Sequence, residues 1–143
     1  MTTKVLVIDD DLAITDLMSM LLKTYGFEPI TTNQGAEGVK LAEDVSPNVI
    51  LLDLMMPDMD GWQVCKAIRT FSNVPILVLS AIHDPRMVAS VLDLGADDFL
   101  VKPVPSGVLV AQIRKMIRRT GSLESLSPST DIPPRRNTAP LLS

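Results

Sequence analysis

Short, unbroken apolar runs alternate along this chain with longer stretches of helical period. Val5-Leu6-Val7-Ile8 stops at Asp9-Asp10-Asp11, and Val49-Ile50-Leu51-Leu52 stops at Asp53. Val74 to Leu79 stops at Ser80, and Asp98 to Val101 leads into Lys102-Pro103. Runs of this kind predict strands buried on both faces. Phe27 to Thr31 predicts a weaker strand, and Pro29 within it points to an edge position. Helices are predicted between the runs. One covers Leu12 to Tyr25, with Ile14, Leu17, Met18, Leu21 and Leu22 in phase and Gly26 as its stop. Others cover Gln34 to Glu43, Trp62 to Phe71, Asp84 to Leu94, and Ser106 to Arg119 with Val108, Val110, Ile113 and Ile117 on one side.

Five strand–helix units in alternation predict an α/β fold, a parallel sheet with helices on both faces. Right-handed crossovers make it doubly wound. Ligand sites in such sheets lie beyond the carboxyl ends of the strands, where the strand order reverses.

Composition narrows the reading. The 143 residues suit one domain, and 46% hydrophobic against 21% charged residues is a globular balance. A formal net charge of −4 argues against a nucleic-acid-binding surface, which needs clustered cations. No apolar run approaches the ~18 residues of a membrane span. The N-terminus has no signal-peptide pattern, and the single Cys65 cannot form an internal disulfide, so a cytoplasmic location is expected. Residues 1–120 read as the folded unit. From Gly121 to Ser143 the chain is rich in Ser, Pro and Thr without periodicity, and a flexible tail is expected.

The residues that close the strands carry the chemistry. A lone strand-end aspartate is most simply a cap. Here parallel strands gather Asp9, Asp10, Asp53, Ser80 and Lys102 on one edge of the sheet. Two unit charges about 5 Å apart cost about 3 kcal/mol at an effective dielectric of about 20. A fold tolerates that where a cation enters, and clustered carboxylates suit Mg²⁺. Lys102 adds a positive charge and Ser80 a hydroxyl, a set suited to a phosphoryl group on a nucleophilic Asp53. Asp11 reads as a helix-start residue, Asp58 and Asp60 as turn residues, Met55, Met56 and Cys65 as packing, and His83 receives no role.

Four motifs in this order resemble the receiver domains of two-component response regulators. They are Val7-Ile8-Asp9-Asp10, Asp53 through Gly61, Ser80-Ala81, and Gly95 through Pro103, spread over Lys4 to Arg119. The resemblance implies a flavodoxin-like strand order of 2-1-3-4-5. It makes Asp53 the phosphoacceptor for a sensor histidine kinase or phosphotransfer protein. It assigns Mg²⁺ to Asp9, Asp10, Asp53 and the Met55 backbone carbonyl. Lys102 would bind phosphate, Ser80 and Phe99 would form the switch, and Lys102–Pro103 would be a cis peptide. Met55 and Ile82 would flank the approach of hydrolytic water. The output would be contact with a downstream protein target. Val88 and Val104 depart from common family residues, while Asp93, Asp97 and Arg114 are candidates for a homodimer through the fourth helix, fifth strand and fifth helix. The competing readings are a phosphorylation-independent interaction module and a Mg²⁺-dependent phosphohydrolase with an aspartate nucleophile.

Overall fold

The computed structural model describes residues 2–57, 59–81 and 84–126, with side chains through residue 120. The order is β1 (Thr3–Ile8), α1 (Leu12–Thr24), β2 (Phe27–Thr32), α2 (Gly35–Val45), β3 (Val49–Asp53), α3 (Gly61–Arg69), β4 (Ile76–Ser80), α4 (Pro85–Asp93), β5 (Asp98–Val101) and α5 (Ser106–Leu126). All four strand pairings are parallel, in the order β2-β1-β3-β4-β5. The expected doubly wound α/β sheet is therefore the fold. β2 is an edge strand, which accommodates Pro29 without a missing ladder bond on its open side.

The sheet's two-residue period splits the core in two. Leu6, Ile8, Ile50, Leu52, Ile76 and Val78 face one layer, with Ala42 of α2, Val64, Cys65 and Ile68 of α3, and Val91 of α4. Val5, Val7, Val49, Leu51, Leu77 and Leu79 face the other, with Leu22 of α1 and Leu109, Ile113 and Met116 of α5. Cys65 is fully buried, as a packing thiol should be.

Several details differ from the pattern reading. Leu17 is 62% exposed, whereas Thr15 is 2% exposed. The Thr15 hydroxyl donates to the Leu12 carbonyl at 3.1 Å and accepts from Asn33, so burying it leaves no polar group unmatched. In α5, Val108 is half exposed and Leu109 takes the core position. β4 begins at Ile76, because Val74 and Pro75 form an approach in which the Val74 carbonyl accepts from Arg69 at 2.7 Å. α2 runs on to Val45 before Ser46 turns left-handed, with φ of 48°. α5 continues to Leu126, past the expected end at Arg119. One glycine costs a helix only about 1 kcal/mol, so Gly121 does not stop it. Residues 127–143 of the expected tail lie outside the described residues.

Gly26 and Gly95, at φ of 88° and 109°, end α1 and α4 where the sequence places stops. Gly61 is constrained by space. A Cβ there would lie 2.7 Å from the Leu54 Cα and 2.9 Å from the Asp53 carbonyl, both backbone atoms that cannot give way. Gly61→Ala should therefore destabilise the protein by roughly 1–3 kcal/mol. Gly107→Ala, where an added Cβ meets nothing within 4 Å, should gain about 0.5 kcal/mol. Urea denaturation checks both, and equal effects would contradict the close approach at Gly61.

Candidate functional site

Because β1, β3, β4 and β5 run in the same direction, their carboxyl ends lie on one edge. β1 delivers Asp9 and Asp10 just past Ile8, β3 ends on Asp53, β4 on Ser80, and β5 delivers Lys102 just past Val101. Carboxylate oxygens of Asp9, Asp10 and Asp53 lie within 4.8 Å of one another. Asp9 and Asp53 are buried and Asp10 is exposed. The Lys102 Nζ stands 2.9 Å from Asp9 Oδ2 and 3.6 Å from Asp53 Oδ1. Its backbone N–H donates to the Ser80 carbonyl at 2.8 Å, which sets the start of the Lys102 loop against the buried Ser80. The Lys102–Pro103 peptide is cis.

The electrostatics follow from burial and crowding. The Asp53 carboxyl is pushed up to about 6, first by burial and then by the neighbouring Asp9 charge. Lys102 and the backbone N–H of Met55 pull the other way without cancelling it. Burial alone would lower the Lys102 ammonium, yet its hydrogen bond to Asp9 and the charges of Asp53 and Asp9 leave it raised. Fully ionised, three carboxylates against one ammonium leave two negative charges uncompensated. Hard carboxylate oxygens this close together, with a net charge of that sign and size, fit a divalent cation such as Mg²⁺.

The other singled-out residues are placed as follows. Phe99 lies within β5 opposite Val78 and packs partly buried on the α2–α4 layer. The Met55 side chain is half exposed beside Asp53. Asp58, Ile82 and His83 lie outside the described residues. Asp11 caps α1, accepting from the N–H groups of Ala13 and Ile14. Asp60 caps α3 in a reciprocal capping box with Gln63. Trp62 ties α3 to α4 through a 2.8 Å bond to the Ser90 hydroxyl. Asp97 pairs with Arg69 at 2.9 Å and accepts the Ile76 N–H at 2.8 Å. Arg114 lies over the Tyr25 and Phe27 rings, 5.8 and 6.0 Å from their centroids. Two of the three interface candidates, Asp97 and Arg114, thus have partners within the chain, and the third, Asp93, is the last residue of α4. Thr15, Thr32 and Asn33, which no pattern singled out, surround the Asp9 backbone.

The raised Asp53 carboxyl makes stability depend on pH. The unfolded chain releases this proton near 3.8 and the folded protein near 6. Between those values the folded state binds more protons, so stability falls as pH rises through the window, and the loss persists above it. In metal-free buffer at pH 7.5, Asp53→Asn should be more stable than the parent by on the order of 2 kcal/mol. The difference should vanish near pH 3.5. Paired urea titrations at the two pH values test this, and an equal difference at both would contradict it.

Comparison with known proteins identifies the family. Residues 5–114 match the family model of the response regulator receiver domain. The probable transcriptional regulator ycf27 of Cyanophora paradoxa is 39% identical over 117 residues, which cover 82% of this chain and 49% of that protein. The DNA-binding response regulator MtrA of Mycobacterium tuberculosis is 36% identical over 119 residues, covering 83% of this chain and 52% of that protein. The chain thus spans about half the length of the curated relatives it matches. The solved structure of chemotaxis protein CheY4 from Vibrio cholerae superposes with a TM-score of 0.76 at 30% identity, covering 81% of this chain and 99% of that one. The receiver domain of Francisella response regulator 1452 gives 0.78 at 31%, covering 83% and 99%. Among the described residues no helix is long and apolar enough to cross a membrane. By its family match, its sheet order and the acidic cluster at its strand ends, the chain belongs to the receiver domains of two-component response regulators.

Proposed function

We propose that this receiver accepts a phosphoryl group on Asp53 from the phosphohistidine of a sensor histidine kinase or phosphotransfer protein. The observation that carries the reading is the Lys102 ammonium set between Asp9 and Asp53, with three carboxylates within 4.8 Å. At neutral pH a carboxyl with a pKa of about 6 is mostly ionised and can act as nucleophile. An Asp53 oxygen attacks phosphorus, an acyl phosphate bond forms, and the phosphorus–nitrogen bond to the donor imidazole breaks. Asp9, Asp10, Asp53 and the Met55 carbonyl would hold Mg²⁺, which when bound supplies neutralisation of the phosphoryl oxygens. Lys102, already beside Asp53, is placed to bind a second phosphoryl oxygen. Ser80, at the end of the adjacent strand, is placed to donate its hydroxyl to the third. Its rotation, followed by inward movement of the half-buried Phe99, would carry the signal to the β5 face.

The output is a contact with a downstream protein. Exposed Leu92, Val101 and Val108 on α4, β5 and α5 favour such a contact, or a homodimer through these elements. Asp97 and Arg114 already have partners within the chain. The relatives' DNA binding is ascribed to proteins about twice as long, and the acidic balance of this chain argues for a protein-directed role. A cytoplasmic setting and a folded unit that includes α5 through Leu126 belong to the same reading.

Incubation with a small phosphodonor and Mg²⁺, followed by intact-mass measurement, tests it. Labelling should be lost in Asp53→Asn and kept in Asp60→Asn, whose asparagine still caps α3. Lys102→Ala should slow labelling by on the order of 10²-fold. Metal-dependent labelling of Asp53→Asn at the parent rate would refute the assignment.

A further inference from the structure

Asp9 is held from the end of the neighbouring strand as well as from within the pocket. Its N–H donates to the Thr32 carbonyl at 3.2 Å. Its carbonyl accepts from the Asn33 amide at 2.8 Å. The same Asn33 nitrogen donates to the Thr15 hydroxyl at 3.0 Å, and that hydroxyl donates onward to the Leu12 carbonyl. Thr32, 4% exposed, donates its hydroxyl to Glu37 and accepts the Gln34 N–H at 3.2 Å. Among the described residues the buried polar side chains are Asp9, Thr15, Thr32, Asp53 and Ser80, and of those outside the pocket Thr32 accepts the Asp9 N–H at its carbonyl while Thr15 accepts from Asn33. Burial of polar groups is costly unless each is matched, and Asn33 matches both the Asp9 carbonyl and the Thr15 hydroxyl.

We infer that Asn33 is a positioning residue for the cation site, acting by fixing the peptide plane between Asp9 and Asp10. The inference rests on the receiver reading above. A peptide unit is planar, so the Asp9 carbonyl and the Asp10 nitrogen and Cα share one plane. An amide bonded to that carbonyl therefore sets the direction in which Asp10 leaves the strand end. Asp10 is exposed and is repelled by Asp9 and Asp53, so rotation of this peptide is the easy way to relax the cluster. The Asn33 amide resists that rotation, and its bond to Thr15 anchors it to the first turn of α1. The Asp9 carboxylate is fixed separately, accepting from the Asp11 N–H at 3.0 Å and from Lys102 at 2.9 Å. Asn33 thus acts on Asp10 through the backbone and touches no phosphoryl group.

Two readouts on the full chain test this. In the metal-free protein, amide hydrogen exchange at Asp10 and Asp11 should quicken at least tenfold in Asn33→Ala. Calorimetric titration with magnesium chloride, well below the melting temperature, should show a Kd raised about tenfold, as for loss of a residue that orients a metal ligand. Ala42→Gly, which loosens the core under α2, should lower the melting temperature and leave the Kd unchanged. Thr15→Val keeps the Asp9 bond and frees the far side of the amide, so it should raise the Kd about threefold. The double variant should be no worse than Asn33→Ala alone, because both act through one bond network. Unchanged exchange and Kd in folded Asn33→Ala, or strict additivity of the two substitutions, would overturn the inference. A parent protein that takes up no Mg²⁺ would instead refute the receiver reading of the pocket, while the metal-free exchange would still judge the Asn33 lock.

Discussion

Three carboxylates within 4.8 Å, two of them buried, are the constraint around which this structure is arranged. Like charges at that distance push the strand ends apart, and the described structure answers with Lys102, delivered by the last strand. The answer is incomplete, and Asp53 shows this by holding its proton to a pKa of about 6. An incomplete answer is useful to a receiver. A pocket fully neutralised by its own side chains would have little need of a divalent cation.

Keeping such a cluster together requires rigidity elsewhere. The two-sided core supplies most of it, with the central strands β1, β3 and β4 buried throughout their contacts with both helical layers. Beyond Asp53 the chain is pinned by the Gly61 N–H to Leu54 carbonyl bond at 2.8 Å, and Asp60 caps α3 immediately before it. At the far end of the sheet, Arg69 binds the carbonyls of Ser72, Val74 and Gly95 as well as Asp97, joining the α3–β4 and α4–β5 connections. That end is closed by its own hydrogen bonds, at the opposite edge of the sheet from the Asp53 cluster.

Much of this was legible in the sequence because the strands are apolar runs and their final residues are charged. Periodicity located all ten elements, and the parallel topology then put Asp9, Asp10, Asp53, Ser80 and Lys102 on one edge without further information. The errors came where polar residues satisfy one another. Pattern reading assumes that a threonine lies outside and a leucine inside, so it chose Leu17 over Thr15. The Asn33 amide, 18 residues along the chain from Thr15, reverses that choice by donating to the threonine hydroxyl. Helix ends were misjudged where a left-handed Ser46 or a tolerated Gly121 replaced the expected stop. Asp97 and Arg114, candidates for an interface, also have partners in segments distant along the chain, which no local pattern shows.

Without a divalent cation the pocket is electrostatically unfinished, with three carboxylates facing one ammonium. Carbon-13 NMR of the Asp53 carboxyl measures this directly. Titrated without metal, its midpoint should lie near 6, and saturating Mg²⁺ should move it well below that value. A metal-free midpoint at the ordinary value of 3.8, or one near 6 that Mg²⁺ leaves in place, would contradict the account.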